Sequence, residues 1–423
     1  MAGPIPTRLL PDTAAISADG RLRIGGCDLV DLAGEYGTPL FVYDEAHLRA
    51  RCREAVTAFG DGVAYASKAF LCDAMARLAH EEGMHLDVAT GGELFVALRA
   101  GVPADRLVMH GNNKSDAELA MALDEGVGRI VVDSFDELDR LDALAGSTGS
   151  RPRVLLRITP GVEAHTHEFI ATGQDDSKFG FTVSSGLATA AVERAIGSAS
   201  VELVGLHAHI GSQVFEVGAF ARAVEVLADF AAPFGLAELS VGGGLGVPYV
   251  EGESAPSITE WASGIRAVCE AAGVMASVSA EPGRAIVAAA AITLYTVGTI
   301  KDLPGIRTYV AVDGGMSDNP RPVLYGSGYE TFLPRAAAAE RARSVRVVGK
   351  HCESGDLLVR EGWVPNDLAV GDVLATPVTG AYGHAMGSNY NHVLRPAVVF
   401  VADGDARTVV RRETFEDLVR REV

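Results

Sequence analysis

Cysteine is scarce in this sequence: Cys27, Cys52, Cys72, Cys269 and Cys352 are the only five. Their number is odd, they lie far apart and none forms a C-x-x-C pair, so neither a disulfide framework nor a zinc knuckle is expected. A reducing cytoplasm is the expected compartment. Positive charge is also in short supply, with 36 Lys and Arg against 55 Asp and Glu and a net charge of −19. Nucleic acids and anionic membranes attract clustered basic side chains. Both are therefore excluded as partners, and a small-molecule substrate is expected.

Long apolar runs are missing too. The longest uncharged stretch, AIVAAAAITLYTVGTI between Arg284 and Lys301, is broken by Thr, Tyr and Gly. It falls short of the roughly 20 apolar residues a membrane helix needs, and it reads instead as buried core crossing a domain boundary. The opening MAGPIPTRLLPDTAA lacks the basic start and apolar centre of a signal peptide. There is no internal repeat and no low-complexity linker.

What is present is enough to build a large core: 423 residues, 48% of them hydrophobic, suggest two or more domains. Short apolar runs recur at VAYAS (63–67), HLDVA (85–89), RLVMH (106–110), RIVVD (129–133), VLLRI (154–158), LVGLHAH (203–209), ELSVG (238–242) and SVSAE (277–281). Helical stretches such as LCDAMARLAHEEG separate them. Eight alternations of strand and helix predict a (β/α)8 TIM barrel, whose chemistry gathers at the C-terminal strand ends. Lys68, Asp87, His110, Asp133, Arg157, His209, Gly242 to Gly244 and Glu281 stand near those ends. After about residue 290 the pattern alternates with period two (RTYVAVDGG, RSVRVVGKH, PAVVFVADG), predicting an all-β sandwich or barrel domain. The turn-rich first 35 residues are expected to add strands to it. The expected division is 1–35, 36–290 and 291–423.

Several motifs carry chemistry, each with a bland alternative. In VAYASKAF (63–70), Lys68 stands among Ala66, Ser67 and Ala69, which leave space around it, although a strand-end lysine can simply snorkel into water. VGGGLG (241–246) is either a backbone cradle for an anion or a tight turn. In EPGR (281–284), Glu281 could hold a protonated ring nitrogen and Arg284 a carboxylate or phosphate, or the two could pair with each other. His207 and His209 in HAHIGSQ face the same way on a strand. They could be a metal pair, joined by Asp87, Asp133 or His110, or one could pack on a flat cofactor. HCESGD (351–356) places Cys352 in a polar turn, a candidate acid or nucleophile. DNPRPVLYG (318–326), with Arg321 and Tyr325, and TGAYGHAMGSNYN (379–391), with Tyr382, can be read as sites or as turns.

The ordered set YASKA, HIGSQ, GGGLG, EPGR, CESGD and GAY, with DNPRPVLYG and GVEAHTHEFIATGQDDSKFGF (161–181), resembles the fold-type III pyridoxal-phosphate decarboxylases over nearly the whole chain. The resemblance implies that Lys68 binds pyridoxal 5'-phosphate covalently, His209 stacks on its ring and Glu281 pairs with the ring nitrogen. It implies that Ser212, Gly243, Gly244, Arg284 and Tyr382 bind the cofactor, chiefly its phosphate. Arg284, Arg321, Tyr325, Glu353 and Tyr382 match substrate contacts. Cys352 matches an acid that protonates the α-carbon across a homodimer interface, and no metal is expected. The related ornithine and lysine decarboxylases receive only an amine at the substrate's far end. Here Glu353 could take an amine while Arg321, with Arg284, takes a carboxylate. The expected reaction is decarboxylation of meso-2,6-diaminopimelate to L-lysine, the last step of lysine biosynthesis. The alternatives are a paralogue acting on another amino acid, a metal-dependent barrel hydrolase, a non-catalytic cofactor-binding relative, and a racemase-like activity that leaves CESGD without a role.

Overall fold

A computed structural model describes residues 2–162 and 173–423; residues 163–172, from the middle of the GVEAHTHEFIATGQDDSKFGF motif, lie outside the described residues. The chain divides into two compact units, one of residues 1–50, 248–254 and 286–423, the other of 51–247 and 255–285.

The first unit begins with a small antiparallel sheet of β1 (Ala15–Ile16), β2 (Leu22–Ile24) and β3 (Cys27–Asp28). Its Leu22, Ile24 and Cys27 belong to the same buried cluster as Leu40, Val42, Ile292, Leu294 and Val399, so the N-terminal strands share the core of the β unit. β4 (Leu40–Asp44) is buried at all five positions. The expected boundary puts this segment in the barrel, but its partners are late strands of the β unit. A continuous apolar run such as LFVYD suits any strand covered on both faces. The pattern alone therefore does not say which sheet takes it.

The second unit is the barrel. Its strands are β5 (Ala64–Ala66), β6 (His85–Val88), β7 (Leu107–Met109), β8 (Arg129–Val132), β9 (Arg153–Thr159), β11 (Glu202–His207), β12 (Glu238–Ser240) and β13 (Ser277–Ser279), all parallel. The short β10 (Phe181–Thr182) pairs with β9 outside this path. All eight apolar runs form the strands expected of them. The amide of Ala64 donates to the Ala280 carbonyl at 2.9 Å and that of Ala66 to Pro282 at 3.2 Å, which brings the first strand against the chain leaving the last. Ala64, Val108, Val131, Leu155 and Val204 form one buried cluster from five strands. Helices start soon after several strand ends because capping residues are waiting there. Thr90 and Ser134 accept the amides of Glu93 and Glu137, and Ser115–Glu118 and Ser257–Glu260 form full capping boxes. Each cap contributes about 1 kcal/mol and fixes the loop that carries the chemistry.

The rest of the first unit is one mixed sheet. It contains β14 (Ala291–Leu303), β15 (Arg307–Val312), β16 (Arg343–Val348), β17 (Leu357–Val364), β18 (Val373–Pro377), β19 (Ala397–Ala402) and β20 (Asp405–Val410). β4 lies between β14 and β19, antiparallel to the first and parallel to the second. The uncharged run 285–300 is largely the buried first half of β14. Among the described residues, no helix is long and apolar enough to cross a membrane.

Candidate active site

Lys68 leaves the end of β5 on a single 3-10 turn, Ser67–Ala69, with Ser67 and Ala69 buried and Lys68 exposed. The turn is anchored from below, where the Tyr65 hydroxyl donates to the Phe70 carbonyl at 2.6 Å. A Cβ on Gly283 would meet the Cβ and carbonyl of Ala66 at 2.9 Å, so only glycine lets the EPGR segment pass this close.

Glu281 lies just beyond β13, buried. Its Oε2 is 2.9 Å from His207 Nε2, its Oε1 accepts from the Ser240 hydroxyl at 2.9 Å, and His110 Nε2 is 3.4 Å from Oε1. His207 and Ser240 stand level in the pairing of β11 with β12, so neighbouring strands present both to the same carboxylate. His110 is also 3.7 Å from Asp87. Burial pushes the Glu281 carboxyl up, but the charges and hydrogen bonds of His207 and His110 outweigh it and hold the group well below the usual carboxylate range. Glu281 is therefore an anion at neutral pH. Arg284, the alternative partner the sequence offered, donates instead to the Ser212 hydroxyl at 2.9 Å.

The two histidines of HAHIGSQ have different surroundings. His207 faces Glu281, whereas His209 Nδ1 accepts the Gly243 amide at 3.2 Å. Burial, then the charges of Lys68 and Arg157, hold His209 well below the ordinary histidine range, so its ring is neutral. Among the described residues the group whose atoms come close enough to share an ion is His110, His207 and Glu281, within 4.8 Å of one another, and not the His207–His209 pair.

The glycine loop is shaped by close approach. A Cβ on Gly243 would lie 2.2 Å from the Glu281 carbonyl, and one on Gly244 2.1 Å from the Gly211 carbonyl. Gly244 also has φ +113, a region that disfavours any side chain. The amide of Val214 donates to the Gly244 carbonyl at 2.9 Å, stitching the loops after β11 and β12 together. An anionic carboxylate, a neutral imidazole, a glycine turn with a guanidinium beside Ser212, and a rim lysine are the donor set that a protonated ring bearing an aldehyde and a phosphate requires. These residues fit pyridoxal phosphate.

In the β unit, Arg321 opens the short helix Arg321–Tyr325 and is buried. Its guanidinium carbon lies 4.0 Å from the Tyr249 ring centre. The loop 349–356 is pinned by Asp356, which accepts the amides of Met316 at 2.6 Å and His351 at 2.8 Å. His351 Nε2 is 2.9 Å from the Ser317 hydroxyl. On this braced loop Cys352 and Glu353 are exposed, the Cys352 amide donating to Asn391 Oδ1 at 3.0 Å. Tyr325 and Tyr382 are half-buried, and Tyr382 has φ 61°.

Lys68, His209, Ser212, Gly243, Gly244, Glu281 and Arg284 thus lie in the barrel unit, and Arg321, Tyr325, Cys352, Glu353 and Tyr382 in the β unit. Sequence reasoning did not single out Ser240, Asp356, Tyr249 or Tyr329, and gave His110 no role beside Glu281. Ser240 is the one with a usable signal: it ends a strand directly before VGGG.

The pyridoxal-binding domain of the pyridoxal-dependent decarboxylases matches residues 45–288. The diaminopimelate decarboxylase of Mycobacterium tuberculosis is 50% identical over 425 residues, covering 96% of this chain and 95% of its own. That of Bacillus subtilis is 46% identical over 430 residues, covering 97% of each chain. The crystal structure of the M. jannaschii diaminopimelate decarboxylase in complex with L-lysine matches with a TM-score of 0.90 at 32% identity, covering 97% of this chain and 98% of its own. With these motifs in this order on this barrel, the chain belongs to the diaminopimelate decarboxylase family of pyridoxal-dependent decarboxylases.

Proposed function

We propose that this chain removes carbon dioxide from meso-2,6-diaminopimelate to give L-lysine, using pyridoxal 5'-phosphate. When bound, the cofactor supplies the electron sink that accepts the pair left behind by carbon dioxide. The chain's own residues bind, orient and move protons. Lys68, at the exposed tip of the turn after β5, would hold the cofactor covalently. Glu281, held anionic by His207, Ser240 and His110, keeps the ring nitrogen protonated. The neutral His209 would hold the ring's face, where a charged imidazolium would oppose a protonated ring. Ser212, Gly243, Gly244, Arg284 and Tyr382 hold the phosphate end.

The observation that carries the choice of substrate is Arg321: a buried guanidinium set against the rings of Tyr249 and Tyr329 rather than against an acidic side chain. A buried cation whose charge no neighbouring acid balances is costly, and a carboxylate at the substrate's far end answers it. Glu353 takes the distal amine, while Arg284, Tyr325 and Tyr382 complete the substrate contacts. The L-lysine in the M. jannaschii relative is the product this reaction gives.

Cys352 donates the proton to the α-carbon, and we assign it to the site of a second copy of the chain in a homodimer. Its exposure, with that of Glu353, supports this, as do the exposed Val323 and Leu324 on the helix that begins with Arg321. The free cysteines suit a reducing cytoplasm. Lysine formation from meso-diaminopimelate tests the reading. The wild-type protein forms it, and Lys68→Ala and Cys352→Ala each lose it. After subunit exchange between the two variants, a mixed dimer regains one intact site in two, so an equal mixture recovers about a quarter of wild-type activity. No lysine from the wild type overturns the reaction; no recovery despite demonstrated exchange overturns the shared site.

A further inference from the structure

We propose that Tyr249 and Tyr329 are specificity-determining positioning residues: they form an aromatic cage that fixes the plane of Arg321 as a receptor for the distal carboxylate of the substrate. The inference rests on the function proposed above and extends it to two residues outside the motifs.

Two other buried arginines among the described residues face carboxylates. Arg341 pairs with Glu330 at 2.8 Å and Arg157 lies 3.6 Å from Asp133. Arg321, 4% exposed, is enclosed by aromatic rings instead. Its guanidinium lies 4.0 Å from the centre of the Tyr249 ring and 5.5 Å from that of Tyr329, and the two rings meet edge to face at 5.2 Å and 79°. Nη1 donates to the Tyr329 hydroxyl, while the buried Nε has no hydrogen-bond partner. With Nη1 occupied, Nε and Nη2 form the edge that matches a carboxylate in bidentate fashion.

The chemistry of the cage explains why tyrosine and not an acid stands here. A facing ring attracts the cation through its quadrupole and restrains the guanidinium plane, yet leaves the net charge in place. An aspartate or glutamate would hold the arginine equally well and cancel its pull on the substrate. The cage is itself braced. Glu253 Oε2 accepts the Tyr249 amide at 2.7 Å, and a Cβ on Gly328, next to Tyr329, would come within 2.9 Å of Val250.

The test uses the pyridoxal-phosphate-loaded protein and the variants Tyr249→Leu, Tyr249→Phe and Tyr329→Phe. In Tyr249→Leu the KM for meso-diaminopimelate rises about tenfold, the size of one lost cation–π contact, with kcat little changed. Inhibition by L-lysine, which lacks the distal carboxylate, stays as in the wild type. Tyr249→Phe keeps the ring and restores the wild-type KM, which a merely structural defect with an unchanged unfolding midpoint would not explain. Tyr329→Phe gives a smaller rise through loss of the hydroxyl acceptor. Equal weakening toward diaminopimelate and lysine, or no change in either, overturns the cage. Calorimetric titration with pimelate, the diacid without amines, reads the cage without turnover. Weaker pimelate binding in Tyr249→Leu supports it even if the proposed reaction fails, and unchanged binding overturns it.

Discussion

Lys68→Ala is expected to lower lysine formation by at least about 10³-fold, within the range that positioned proton-transfer and nucleophilic groups supply, while leaving the unfolding midpoint unchanged. The fold should tolerate the change because Lys68 is exposed, and the packing of its turn comes from Ser67, Ala69 and the Tyr65–Phe70 hydrogen bond. The activity should not, because the covalent anchor is lost. The chain has only five lysines, Lys68, Lys114, Lys178, Lys301 and Lys350. Lys114 is buried against Glu137 at 2.7 Å. Borohydride reduction followed by peptide mapping therefore gives a clear answer, a cofactor label on Lys68. If Lys68 merely snorkelled into water, the alanine variant would turn over at the wild-type rate.

Glu281→Gln is expected to lower kcat by about 10² to 10³-fold, the usual effect of removing one preorganised electrostatic partner. Glutamine keeps the shape and can still meet His207 and Ser240, so the loss reports the missing charge rather than a cavity. The absorption of the bound cofactor should shift as well. A fall of only a few-fold would mean that the ring nitrogen does not depend on this carboxylate. The sign of the pH effect follows from the direction of the shift. Because the folded-state pKa of Glu281 is depressed below its ordinary value, the wild-type carboxylate stays charged as pH falls through the ordinary carboxylate range. Its contribution to stability is present above that range and is lost only as pH falls toward the lower folded value. The Gln variant should lack this acid limb.

Much of the barrel was legible because its signal is local and repeated. Each of the eight apolar runs is short and bounded by turns, and four of them lead into a helix with a side-chain cap, so each can be recognised without knowing its neighbours. β4 was not legible in the same way. LFVYD is as apolar as the barrel strands that follow it in sequence, and only its pairing with β14 and β19, some 250 and 350 residues away, assigns it to the other sheet. β17 was missed for a different reason: LLVREGWV carries Arg360, Glu361 and Gly362 in its middle, which breaks the alternation.

The site divides along the same line. Residues with a distinctive type in a distinctive motif, such as Lys68, Glu281 or Cys352, can be named from the chain alone. Relations between them cannot. That His207 serves Glu281 while His209 meets Gly243 depends on strand register and on a loop only glycine can form. That Arg284 turns to Ser212 and away from Glu281 is equally a matter of loop geometry. Tyr249 and Tyr329 belong to no motif and lie 80 positions apart, so only the fold brings their rings to Arg321.

The most direct test of the account is a competition in one vessel. The purified protein is loaded with pyridoxal phosphate and given equal amounts of meso-diaminopimelate, L-lysine and L-ornithine, and the amine products are followed by mass spectrometry together with carbon dioxide. The account predicts that diaminopimelate is consumed and lysine accumulates with one carbon dioxide each, with neither cadaverine nor putrescine formed. Cadaverine or putrescine as the main product would contradict it, because Arg321 would then not be reading a carboxylate.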